Sequence, residues 1–132
     1  MMNVSEYIWK RLRSLGVTHV FTLSGGGCMH LTDALGRSGI TVVPMHHEQA
    51  CAFAAMSYTR AKPGNLGVCL VTSGPGGTNA ITGVAAAWAD SIPMLVISGN
   101  VSRDHASDGG VRQRGFQEFD IITAVESFTN YA

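Results

Sequence analysis

The residues of this chain that could do chemistry fall in four short segments. They are Ser24-Gly25-Gly26-Gly27, His46-His47-Glu48, Ser73-Gly74-Pro75-Gly76-Gly77-Thr78-Asn79 and Gly99-Asn100. Glu48 is the sharpest candidate. It opens the run Gln49-Ala50-Cys51-Ala52-Phe53-Ala54, and no Lys or Arg follows until Arg60, so no neighbour in sequence is placed to pair with it. A carboxyl group there meets two opposed influences. Free N–H groups at a helix start favour the ionised form, and apolar burial favours the neutral acid. The neutral acid can donate a hydrogen bond to a heterocyclic nitrogen; the plainer alternative is a Glu capping a solvated helix. The glycine segments also have two readings. Ser73 to Asn79 lacks the Lys of a phosphate-cradling loop, and neither segment has a dinucleotide-binding spacing. Each can offer backbone N–H groups to a ligand or simply permit a tight strand-to-helix turn.

Other chemistries are poorly supplied. The histidines, His19, His30, His46, His47 and His105, show no H-x₃-H or H-E-x-x-H spacing, and the cysteines no C-x₂-C, so no metal ligand is assigned. A Cys–His nucleophile pairing, Cys28 with His30 for example, is open to the sequence but unsupported by it. Cys28, Cys51 and Cys69 are odd in number and far apart in sequence, as expected for buried thiols in a reducing, cytoplasmic compartment.

Periodicity supplies the elements that must position these segments. Val4, Ile8, Leu12 and Leu15, with Tyr7 beside them, predict a first helix stopped by Gly16. Val17 to Thr22 predicts a strand, Met29 to Arg37 a helix, and Ile40 to Val43 a second strand closed by Pro44. A helix over Glu48 to Arg60 and a turn at Lys62-Pro63-Gly64-Asn65 lead to an unbroken apolar strand, Leu66 to Thr72. Thr78 to Ala89 reads as a helix with Thr78 and Asn79 as caps, and Met94 to Ser98 as a fourth strand. Residues 101–115 read as a polar loop over an edge or cleft, Phe116 to Thr123 as a short helical turn, and Ser127 to Tyr131 as a last strand. Strands that alternate with helices and lack polar alternation belong to a parallel sheet covered on both faces. The expected class is therefore α/β, a three-layer doubly wound, mostly parallel sheet. In such sheets ligands bind beyond the carboxyl ends of the strands. All four candidate segments fall at that edge.

Composition narrows the partners. Residues 1–132, at 13.9 kDa, are read as one domain. Hydrophobic residues reach 45% and charged residues only 14%, which excludes intrinsic disorder. Net charge is zero, so nothing electrostatic favours nucleic acid or an anionic membrane. No apolar run approaches the roughly 18 residues of a membrane span. Small free-standing domains usually keep about 25–35% of their surface charged, so a chain this poor in charge is expected to cover part of itself with more protein.

The segments His47 to Ala55, Thr72 to Ala80, Ala89-Asp90-Ser91-Ile92-Pro93 and Phe116-Gln117-Glu118-Phe119-Asp120 together resemble the N-terminal pyrimidine-binding domain of thiamine-diphosphate enzymes, and most closely the acetolactate synthase group. The likeness covers nearly the whole chain and keeps four motifs in order. Where that group reads Tyr-Pro before its first glycine pair, this chain has Leu23-Ser24. The resemblance implies thiamine diphosphate as cofactor and a 2-oxo acid decarboxylase or carboligase as the activity. It implies that Glu48 hydrogen-bonds N1′ of the aminopyrimidine and that Ser24, Gly25, Gly26, Pro75 and Asn79 line the cofactor site. Gln117 would reach toward the substrate as the second catalytic residue. It also implies that Mg²⁺ and the diphosphate are held by another domain or subunit through a G-D-G…N motif that this chain lacks. On that basis the chain is expected to be part of a larger, oligomeric enzyme, stopping before the last helix and strand of such a domain, and inactive alone. The competing expectations are an oligomerisation or regulatory module that keeps the fold without chemistry, and a flavodoxin-like nucleotide or flavin binder.

Overall fold

A computed structural model describes residues 2–132. Four strands, β1 (His19–Thr22), β2 (Thr41–Pro44), β3 (Gly67–Val71) and β4 (Met94–Ser98), form one sheet in the order β2-β1-β3-β4. Every neighbouring pair is parallel, as the lack of polar alternation predicts. Five helices accompany them: α1 (Val4–Ser14), α2 (Met29–Gly36), α3 (Glu48–Ala61), α4 (Pro75–Ala89) and the short α5 (Ile121–Val125).

Alternation along the strands sends side chains to two cores, one on each face. Val20, Val68 and Leu70 pack with Trp9, Leu12, Ala34 and Leu35 of α1 and α2. Phe21, Cys69, Val71 and Val96 face Cys51, Ala52 and Ala55 of α3 and Ala80 of α4. The sheet is thus doubly wound, with β3 fully buried at its centre.

Three expectations need correction. The apolar stripe of α1 is rotated: Val4, Tyr7 and Leu15 are exposed, while the fully buried Trp9 enters the core and donates its indole N–H to Leu31 O at 2.8 Å. Burying so large a ring outweighs burial of the smaller residues at the neighbouring helical spacing. The segment Ser127 to Tyr131 does not form a strand; Glu126–Phe128 is a single 3-10 turn. The helical turn expected over Phe116 to Thr123 starts later, at Ile121, because Asp120 caps it by accepting from Thr123 N at 3.1 Å.

The fourth difference bears on the site. α4 begins at Pro75, not Thr78, with Gly74 as its N-cap at φ +54. Pro75 is pre-set for the first helical position, and Gly74 adopts a left-handed conformation that other residues resist. Asn79 therefore stands one turn inside the helix, and its side chain is free for another partner.

Candidate functional site

The order β2-β1-β3-β4 reverses direction between β1 and β3, the kind of switch point at which open parallel sheets bind ligands. The turn after β1 and the turn after β3 meet there. Gly27 N donates to Thr72 Oγ1 at 3.1 Å, and a Cβ on Gly25 would stand 2.7 Å from Thr72 Oγ1. Gly25 therefore serves close approach of backbone to its neighbour, and Thr72, which opens the second motif but is given no role there, is what it approaches. Ser24 and Gly26 lie exposed on the rim of the same turn.

Glu48 occupies the first position of α3. His47 caps that helix, its Nδ1 accepting from Gln49 N at 3.1 Å, so Glu48 itself is released from capping duty. Its side chain is only 8% exposed. Asn79 Nδ2 donates to Glu48 Oε2 at 3.0 Å, across from α4. Oε1 accepts no protein hydrogen bond among the described residues, and none of the cations there forms an ion pair with this carboxyl. Arg60, the first basic residue after it, pairs with Asp90 instead.

One close helix crossing produces this pairing. Gly83 lies four residues beyond Asn79 and Ala52 four beyond Glu48, which places each one turn below its partner. A Cβ on Gly83 would collide with the Ala52 methyl. The absent side chain lets α3 and α4 approach until Asn79 reaches Glu48. Beneath them, two cysteines distant in sequence become neighbours. The interaction between the two thiols pulls Cys51 down and, followed by burial, pushes Cys69 up. All three cysteines are free and buried.

The other predicted site residues gather less tightly. Pro75 is exposed at the start of α4. Gln117 lies in the 99–120 connection between β4 and α5, and its carbonyl is packed so closely on Gly74 that no Cβ would fit. Gln117 and Gly26 line a cleft of about 510 Å³ together with Ser73, Asn100, Ser102 and His105. The loop over a cleft expected from residues 101–115 is thus present. Glu48 and Asn79 are not among the residues that line it.

The profile of the family described as "Thiamine pyrophosphate enzyme, N-terminal TPP binding domain" matches residues 2–124. The chain belongs to this family. Among curated relatives, the acetolactate synthase isozyme 2 large subunit of Escherichia coli K12 is 43% identical over 121 residues, covering 92% of this chain and 21% of its own length. Acetolactate synthase 2, chloroplastic, of Nicotiana tabacum is 41% identical over 129 residues, covering 96% of this chain and 18% of its own. The acetolactate synthase large subunit of Buchnera aphidicola from Schizaphis graminum is 42% identical over 123 residues, 92% of this chain and 20% of the relative. The chain spans about a fifth of the length of these curated relatives. Membership of the thiamine pyrophosphate family agrees with the four-motif resemblance and with the parallel sheet. Among the described residues no helix is long and apolar enough to cross a membrane.

Proposed function

We propose that this chain is the pyrimidine-binding part of an acetolactate synthase-like, thiamine-diphosphate-dependent 2-oxo acid decarboxylase or carboligase, a lyase or transferase. The observation that carries the reading is the buried carboxyl of Glu48, with Oε2 held by Asn79 and Oε1 free of protein partners. Oε2 accepts the amide hydrogen bond, so Oε1 is the oxygen left to face an aromatic ring nitrogen. Such a donor set fits the aminopyrimidine. When bound, thiamine diphosphate supplies a carbon that accepts and stabilises the electron pair left by decarboxylation.

The chain's own residues then bind and orient. Glu48 would hold the pyrimidine through Oε1 at N1′, and Asn79, donating to Oε2, would fix the plane of the carboxyl. Ser24, Gly25, Gly26 and Pro75, on the switch-point turns, would border the ring. Gln117 stands on the substrate side, over Gly74. Among the described residues no three His, Cys, Asp or Glu side chains converge. Mg²⁺ and the diphosphate are assigned to a separate diphosphate-binding domain or subunit, in a homo-oligomeric enzyme of the cytoplasm. The chain alone would then be inactive.

The test is proton exchange at C2 of the cofactor in the protein assembled with its diphosphate-binding half. Glu48→Gln should slow that exchange by about 10²-fold or more, the range of a lost general acid–base partner. Far-UV circular dichroism should be unchanged. Normal exchange in this variant would refute the assignment.

A further inference from the structure

The 99–120 connection is long, and apart from one 3-10 turn at Arg103–His105 it has no regular structure. Connections of this length in compact domains are usually tied down when they carry function. Glu118 ties this one. Its Oε1 accepts from Ser107 N at 2.5 Å, and its Oε2 accepts from Arg114 N at 2.8 Å and Gly115 N at 3.0 Å. Its own N–H donates to Gly115 O at 3.2 Å, closing a four-residue turn. Glu118 thus grips Gly115 from both sides. The turn between them holds Gln117 at φ +55, one of two left-handed non-glycine residues among those described. In turns that position is normally taken by Gly or Asn. A glutamine stays there only if its surroundings hold it.

The turn is also anchored below. Gly115 is buried, and a Cβ on it would stand 2.6 Å from Val101 Cγ1. The Gln117 carbonyl rests on Gly74, the cap of the helix that carries Asn79. From these contacts we propose that Glu118 is a positioning residue, whose carboxylate clamps the 107–115 strap and thereby holds Gln117 in its strained conformation beside Gly74, facing the substrate. The inference deepens the proposed function and rests on it.

Two measurements test it. Amide exchange is read in the assembled protein without cofactor or substrate, so it does not depend on turnover. In Glu118→Ala the Ser107, Arg114 and Gly115 amides should exchange at least about tenfold faster while those of β3 keep their protection. In the assembled thiamine-dependent enzyme, Glu118→Ala should lower kcat/KM for the 2-oxo acid by roughly 10- to 100-fold, the cost of a displaced group, with cofactor affinity unchanged. Glu118→Gln keeps one acceptor oxygen and should restore part of the loss. The double variant with Gln117→Ala should be no worse than Gln117→Ala alone, because Glu118 acts through Gln117. Unchanged strap exchange, or losses that simply add in the double variant, would overturn the proposal. A wild-type assembly with no thiamine-dependent turnover would instead remove the functional reading, and with it the substrate-facing role of Gln117; exchange alone would still decide the clamp.

Discussion

Glu48 and Asn79 come from different motifs, thirty-one residues apart, and share one hydrogen bond. That bond is the residue-scale centre of the molecule. Removing it with Asn79→Ala should cost about 1 kcal/mol of stability, the usual net value of one hydrogen bond, and leave Oε2 without its donor. The sharper consequence is loss of orientation. C2 proton exchange in the assembled enzyme should slow in Asn79→Ala while a truncation of the exposed His46 leaves it unchanged, and equal rates in the two variants would count against Asn79 as the orienting group. The motif reading identified both residues but not their contact, since nothing local in sequence relates an amide on one helix to a carboxyl on another. It also treated Thr78 and Asn79 as caps, because Thr and Asn favour helix starts; Pro75 and Gly74 claim that start and release Asn79.

At the scale of elements, the decisive contact is the crossing of α3 and α4. Gly83→Val would place carbon where the Ala52 methyl sits and force the helices apart, at an expected cost of about 1–3 kcal/mol for overpacking. A urea titration should register that loss, and thiamine diphosphate affinity should fall with it because the same crossing sets the Glu48–Asn79 distance. On the opposite face, Trp9 is fully buried and bonded to Leu31 O, so Trp9→Ala should cost about 3–5 kcal/mol. The Glu48–Asn79 pair, on helices packed against the other face of the sheet, should survive in whatever fraction stays folded. Strand and helix order was legible from periodicity, and β4 coincides with its expected range, Met94–Ser98. The stripe of α1 was not legible, because Ile8-Trp9 and Leu12 fit a second helical face as well as Val4, Ile8 and Leu15 fit the first. Only the volume beneath the sheet chooses between them.

Across the whole molecule, stability is divided between a rigid sheet and a polar strap. The Glu118 carboxyl is held below its ordinary range first by the Ser107 N–H and then by those of Arg114 and Gly115, with the Arg114 guanidinium adding to it. Asp108 is lowered likewise, first by Gly110 N–H and then by Arg114. Groups whose folded pKa is depressed stabilise the strap above their unfolded pKa, and that contribution disappears as pH falls through the folded value. Acid below about pH 4 should therefore release the strap before the sheet opens. Exchange at Ser107 and Gly115 should accelerate with falling pH, after correction for intrinsic rates, while Val68 to Val71 stay protected; simultaneous loss would mean that strap and sheet form one cooperative unit.

Taken alone, the order of residues determined the α/β class, the parallel sheet, the edge at which the four glycine and histidine segments gather, and membership of the thiamine-dependent family. Those properties follow from spacing of apolar residues and from short contiguous motifs, which act over a few residues at a time. Tertiary structure alone decided that Asn79 is Glu48's partner, that Cys51 and Cys69 share one core, and that Glu118 grips Gly115 from both sides. Each of those contacts depends on how closely two elements approach, and that distance is set by packing volume, such as the missing side chain at Gly83, which no local pattern encodes.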